Sequence, residues 1–268
     1  MKTRANGIEI DYRDGGSGVP VILIHAFPLN QTMWDDQFSP LQRHCRAITL
    51  DLRGFGGSEQ PHGPCMVEDM AADVRGLMLS LGLDQAVLVG LSMGGYVSLA
   101  FYRNYPEAVR ALVLADTRAS ADTQEGRERR LKSAEKAERA GASAIADDML
   151  PLLLGRTSLE TRPDIVKRVR SIIEMNSPNG IACAQRAMAG RRDSTDLLPS
   201  IDVPVLIIVG SEDRLTSVTE AETLSSGIRG ARLEVIAGGG HLSNIEQPEE
   251  FRAVLTAFIT SVEGERGG

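Results

Sequence analysis

Apolar and polar positions divide the chain into short strand-like runs separated by stretches with helical spacing. GIEIDYRD, residues 7–14, alternates apolar and polar positions, as a half-exposed strand does. VPVILIHAF, residues 19–27, is a continuous apolar run, the mark of a strand buried on both faces. RAITLDLRG follows and runs into the glycine-rich turn GFGGS; QAVLVGLS, RALVLADT, VPVLIIVGSED and RLEVIAGGGH read as further strands. Between them, helical spacing predicts helices over Trp34–His44, over Met66–Leu81 with Gly82 just past the end, and over GGYVSLAFYRNYP up to Pro106. One more helix separates the last two strands, and a final one runs from about Glu249 to Val262.

Strands that alternate with helices imply a mostly parallel central sheet with helices on both faces, an α/β fold. Residues 118–195 break the pattern. They hold no strand-like run and read as several helices, too long a block for a simple crossover. The expected organisation is a core of residues 1–117 and 196–268 with a helical cap at 118–195. Ligands of open α/β sheets sit at the carboxyl ends of the strands, so such a cap covers the site.

Composition narrows the function classes. With 36 acidic against 29 basic residues, the net charge of −7 lacks the basic footprint of a nucleic-acid binder. No apolar run reaches the ~20 residues that span a bilayer, and MKTRANGIEIDYRDGG has no apolar core for a signal peptide. Cys45, Cys65 and Cys183 show no metal-binding spacing and read as free thiols, which points to a reducing, cytoplasmic setting. Only the tail EGERGG reads as disordered, and no cofactor or metal is implied.

The cap has its own composition. No Phe, Tyr or Trp occurs between Tyr105 and Phe251, so a cap wall is expected to be aliphatic or Met: Met149, Leu152, Leu153, Met175 and Met188 are candidates. Residues 118–195 carry 15 Lys and Arg against 11 Asp and Glu, whereas the rest of the chain is strongly acidic. That excess suits either a solvated helix surface with i,i+4 pairs or a cap that attracts anionic substrates.

The candidate chemistry starts at Gly90-Leu91-Ser92-Met93-Gly94. A G-x-S-x-G pattern arises by chance in about one chain in ten of this size. Here it stands between a buried strand and a helix, the setting of a nucleophile elbow. Met93 then offers a backbone N–H at a helix N-terminus, where negative charge is stabilised. Among four histidines, His241 follows the last strand and suits a general base. His44 sits at a predicted helix end, His62 in the polar loop QPHGP. His25 closes VILIH and suits hydrogen bonding within the loop HAFP. The acid belongs between serine and histidine in sequence. Asp213 directly follows a buried strand and fits; Glu212 and Asp116 are its rivals. A second oxyanion donor comes from the early loop, with Phe27 the candidate because Pro28 has no N–H. His25, Trp34, Met149, Leu153 and Leu242 are candidates for the substrate pocket.

HAFPLNQTMW, DLRGFGGS, GLSMGG, VGSED and GGGHLSNIEQPE resemble, in order and spacing, the motifs of the α/β-hydrolase family. The resemblance covers nearly the whole chain outside the cap and is nearest to small serine esterases and 3-oxoadipate enol-lactonase-like hydrolases. It implies an α/β-hydrolase fold and a Ser92–His241–Asp213 triad that cleaves a small-molecule ester or lactone, one that bears a carboxylate if the basic cap selects for it. The same triad also serves carbon–carbon bond hydrolysis or perhydrolysis. A receptor-like protein that binds ligand on this fold is the non-enzymatic alternative. Serine at position 92 separates the chain from the dehalogenase and epoxide-hydrolase branches, whose nucleophile is a carboxylate. Two features depart from the family: Ala26 stands where many relatives have glycine, and the cap lacks an aromatic.

Overall fold

The computed structural model describes residues 1–61 and 63–264. In chain order the first part holds β1 (Lys2–Ala5), β2 (Ile8–Gly15), β3 (Pro20–Ile24), α1 (Asp35–Leu41), β4 (Arg46–Leu50), α2 (Val67–Ser80), β5 (Ala86–Leu91), α3 (Met93–Asn104) and β6 (Val109–Ala115). A helical segment follows: α4 (Gln124–Leu153), α5 (Arg156–Thr161), α6 (Pro163–Glu174) and α7 (Pro178–Gly190). The chain ends with β7 (Val205–Gly210), α8 (Val218–Gly227), β8 (Arg232–Ile236), α9 (Ser243–Glu246) and α10 (Pro248–Gly264).

The eight strands form one sheet in the order β1-β2-β4-β3-β5-β6-β7-β8. β1 and β2 pair antiparallel, β2 pairs antiparallel with β4, and every later pairing is parallel. The continuous apolar runs are the central strands, whose side chains alternate between two cores. Ile22, Ile24, Leu112 and Leu114 join the apolar face of α2 and α3, while Val21, Leu23 and Val113 join Leu41 of α1 and Phe251, Leu255 and Ile259 of α10. Packing on both faces fixes the carboxyl ends of β3, β5, β6 and β7 along one edge.

The sequence reading misses β1. Asn6 and Gly7, with φ of 48° and 84°, form a two-residue turn that pairs Lys2–Ala5 with Ile8–Asp11. Asn-Gly is the residue pair such a hairpin favours, so the signal is present in the sequence. The helix expected over Trp34–His44 is a short 3₁₀ turn, Gln31–Trp34, followed by the seven-residue α1. Of the tail EGERGG, Glu263 and Gly264 complete α10, whereas residues 265–268 lie outside the described residues, as does His62.

In the helical segment α4 is interrupted at Gly141, whose φ of 82° breaks the helix into two arms, and it packs against α6 and α7. Cys65 and Cys183 are bonded to each other, which overturns the reading of three free thiols; Cys45 alone is free, and it is buried. A separation of 118 residues hid the pair: folding brings the loop before α2 against α7, with the Cα atoms 5.8 Å apart. Cysteine usage therefore gives no argument for a reducing compartment. Among the described residues no helix is long and apolar enough to cross a membrane.

Candidate active site

β5 delivers Ser92 to the carboxyl edge of the sheet and α3 starts immediately after it. Ser92 has φ 55° and ψ −110°, a conformation that costs a non-glycine residue about 1–3 kcal/mol and turns its side chain out of the strand–helix junction. Three close contacts hold the turn. Ser92 N donates to Ala115 O at 2.9 Å, and Thr117 Oγ1 donates to Ser92 O at 2.8 Å. Gly94 allows the third: a Cβ there would lie 2.2 Å from Ile24 O. Ser92 occupies the N-cap position of α3, but its side chain accepts no capping hydrogen bond. Its Oγ is instead 2.7 Å from His241 Nε2.

His241 lies between β8 and α9, and its position is set from both sides. Glu246 accepts from Gly240 N at 2.9 Å and from Gly155 N at 2.8 Å, which ties the histidine loop to the start of α5. Asp116 accepts from Ser243 Oγ at 2.5 Å and from Gly210 N at 2.8 Å. His241 Nδ1 is 2.8 Å from Asp213 Oδ2. A carboxylate there fixes the tautomer with hydrogen on Nδ1, so Nε2 accepts from Ser92. Asp213 also accepts from Thr216 Oγ1 at 2.6 Å and from the backbone N–H groups of Leu215 and Thr216 at 2.7 and 3.0 Å. Burial pushes the Asp213 carboxyl up, but His241 and the Thr216 donors outweigh burial and hold it below its ordinary value.

The two rival acids stand elsewhere. Both oxygens of Asp116 are taken by Ser243 and Gly210, and burial together with the charge of Asp213 raises its carboxyl well above the ordinary range. Glu212 turns to α5, where it accepts from Thr157 N at 2.8 Å and from Thr157 Oγ1.

The loop after β3 supplies the other side of the site. His25 Nε2 accepts from Leu52 N at 3.0 Å, so its proton sits on Nδ1 and is donated to Ala26 O at 3.0 Å. Burial lowers its pKa to about 4, so the ring is neutral. Ala26 N donates to Met33 Sδ at 3.1 Å and Pro28 has no N–H, whereas Phe27 N has no acceptor among the described residues. Met93 N, the first of α3, is likewise without an acceptor among the described residues.

Ser92 and His241 open on a cavity of about 90 Å³, small beside the ~300–1,000 Å³ of typical drug-sized sites. Phe27 and Tyr96 form its aromatic wall, Leu215 and Thr216 the wall beside Asp213, and Met149, Leu153 and Met188 the cover from α4 and α7. Arg118 and Arg130 line it as well. A larger depression, about 690 Å³ between α1 and α10, has no hydrogen-bonded nucleophile and base among its lining residues.

Of the five pocket candidates, Met149 and Leu153 line the cavity, as does Met188 from the wider set of cap residues. The other three do not. His25 is fully buried behind the loop it shapes. Trp34 is turned away by its 3₁₀ turn and packs on Phe251, ring centroids 6.1 Å apart. Leu242 points into the core on the α10 side, and its N–H meets Leu153 O at 3.2 Å. Leu152 on α4 and Met175, the residue just past α6, are exposed and do not line the cavity. The aliphatic cap wall expected from composition also carries two guanidinium groups. Nothing in the local pattern around Arg118 or Arg130 marks them; both belong to the basic excess of residues 118–195.

Known proteins share this architecture. A thermophilic esterase from Thermogutta terrifontis, solved with malate bound, is 39% identical with a TM-score of 0.96, over 98% of this chain and 99% of that one. The enol-lactonase of Burkholderia xenovorans is 30% identical with a TM-score of 0.90, over 97% and 100%. The 2-hydroxy-6-oxo-2,4-heptadienoate hydrolase of Pseudomonas putida is 30% identical over 96% of this chain and 95% of its own. Residues 19–248 match the family model described as the alpha/beta hydrolase fold, and with relatives this similar along nearly its whole length the chain belongs to the α/β-hydrolase family.

Proposed function

We propose that the protein is a serine hydrolase that cleaves a carboxylic ester or lactone without a cofactor. The observation that carries this reading is the hydrogen-bonded series Ser92 Oγ–His241–Asp213, which opens on a small cavity. In the first step Ser92 Oγ attacks the carbonyl carbon while His241 Nε2 takes its proton. The tetrahedral oxyanion is held by Phe27 N–H and Met93 N–H; each such donor contributes about 3–4 kcal/mol to transition-state stabilisation. Asp213 keeps the imidazole in its tautomer and stabilises the imidazolium without taking the proton. His241 then protonates the leaving alkoxide, the acyl group stays on Ser92, and water activated by His241 releases the acid. Residues 118–195 act as the cap that limits the acyl chain.

Carbon–carbon cleavage is the second reading. The likeness to the Pseudomonas putida hydrolase favours it, since the substrate in that protein's name carries no ester. A side-by-side panel of short esters, lactones and vinylogous diketones ranks the two, and peroxide added to the ester assay adds perhydrolysis to the ranking. The test of the common step is Ser92→Ala, which is expected to fold normally and lose nearly all turnover of p-nitrophenyl acetate. Wild-type-like turnover in that variant overturns the proposal.

A further inference from the structure

Three arginines from three parts of the helical segment converge beside the catalytic cavity. Arg118 follows β6, Arg130 lies on α4 and Arg191 follows α7. All three meet one carboxylate, Asp122, which is 93% buried: Arg118 Nη2 at 2.6 Å, Arg191 Nη1 at 2.8 Å, and Arg130 Nε in a short contact. Arg118 Nη1 has a second acidic partner, Glu220, at 3.2 Å. Burial alone would raise the Asp122 carboxyl, but Arg130 and Arg191 hold it down to about 2, so it is fully anionic. Three positive charges thus face two negative ones, a surplus of one positive charge in a cluster largely shielded from solvent.

The surplus is directed. Arg191 is spent internally: it stacks on the Tyr96 ring at 4.1 Å and donates to Ser120 O at 2.6 Å. Arg118 and Arg130 instead line the cavity that holds Ser92. Arg130 is aimed there by Gln185 Oε1 at 3.1 Å and Met188 Sδ at 3.4 Å. Arg118 Nε and Arg191 Nε are both buried with no acceptor among the described residues, so what sets Arg118 and Arg130 apart is their place on the cavity wall. Two guanidinium groups held on the cavity wall with one uncompensated charge suit the planar, two-oxygen geometry of a carboxylate.

We propose that Arg118 and Arg130 form an anion subsite on the wall of the Ser92 cavity, and that it binds the free carboxylate of a half-ester or of a carboxylate-bearing lactone. The proposal rests on the hydrolase reading and names its substrate class. In a cavity of about 90 Å³ only a few carbons separate that carboxylate from the carbonyl attacked by Ser92, so short dicarboxylic half-esters fit and long ones do not.

The experiment compares p-nitrophenyl hydrogen succinate with its neutral methyl ester, both on the same protein. Wild type is expected to favour the anionic substrate in kcat/KM by about tenfold or more, mostly through KM, with the preference shrinking as salt rises. Arg118→Gln and Arg130→Gln each lower the anionic-to-neutral ratio about tenfold, and Arg130→Lys restores part of it. Asp122→Asn is the opposing control: it raises the surplus from one charge to two and is expected to raise the ratio, whereas a purely structural cluster gives no such rise. An anionic-to-neutral ratio near one in wild type, or one unmoved by both Gln variants, overturns the subsite while leaving the hydrolase reading intact. Turnover of neither substrate by wild type, nor of other esters and lactones, counts against the hydrolase reading itself.

Discussion

Replacing Asp213 by asparagine tests the relay where it is most specific. The substitution preserves shape. The two backbone donors, Leu215 N at 2.7 Å and Thr216 N at 3.0 Å, both address Oδ1, which an asparagine oxygen can still supply. Local folding is therefore kept, and unfolding midpoints are expected to shift little. What changes is Oδ2, which accepts from His241 Nδ1 at 2.8 Å and from Thr216 Oγ1 at 2.6 Å. An amide NH₂ there donates instead, so His241 must present a bare Nδ1 and carry its hydrogen on Nε2. That tautomer cannot accept the Ser92 proton. Loss of the base and of the charge that stabilises the imidazolium corresponds to about 10⁴ in kcat, or about 5.5 kcal/mol of barrier. The assay is p-nitrophenyl acetate hydrolysis with stopped-flow detection of the acylation burst. A loss smaller than about tenfold would show that His241 does not depend on Asp213 for its tautomer and would refute the relay.

Other outcomes follow from the same geometry. Gly94→Ala places a methyl 2.2 Å from Ile24 O, so α3 must shift. It is expected to cost at least about 1–3 kcal/mol in urea unfolding and to lower kcat more than KM, because Met93 N–H moves with the helix. Cys183→Ser opens the link between the loop before α2 and α7; with 118 residues between the cysteines it is expected to cost about 2–5 kcal/mol, read as a lower urea midpoint matched by wild type in reductant. Asp122 has a carboxyl depressed to about 2 against about 3.9 for an unfolded chain. Its contribution, about 2 kcal/mol, is therefore fully present above pH ~5 and lost as pH falls through 4 towards 2. Wild type is expected to lose more stability than Asp122→Asn between pH 5 and 3, and parallel pH profiles would contradict this.

Much of the framework was legible because it is written in local patterns. Fully apolar runs located β3, β5, β6 and β7, since only strands covered on both faces exclude polar residues so completely. Ser92 and Asp213 stand just past such runs, and His241 follows the half-exposed edge strand β8, so their order along the chain placed all three at the carboxyl edge of the sheet. Ser92 illustrates the limit of that reading: a serine before a helix suggests a cap, yet its side chain is taken by His241 from 149 positions away. The helical segment α4–α7 was less readable for the same reason. Helical spacing marks which face is apolar but not which neighbour it meets, so Met149 and Leu153 could be told from Leu152 only in three dimensions. The convergence of Arg118, Arg130 and Arg191 on Asp122, and the pairing of Cys65 with Cys183, join residues that no spacing rule connects. Trp34, a pocket candidate in the sequence, instead fills the core against Phe251, a contact with a residue 217 positions away that no local pattern marks.

The central claim is that Ser92 carries the acyl group, and the most direct measurement is intact-protein mass spectrometry after rapid acid quench of a p-nitrophenyl ester reaction. The account predicts a population heavier by one acyl group, mapped to the peptide containing Ser92, and absent in Ser92→Ala. An adduct on any other residue, or steady turnover by Ser92→Ala, would contradict it.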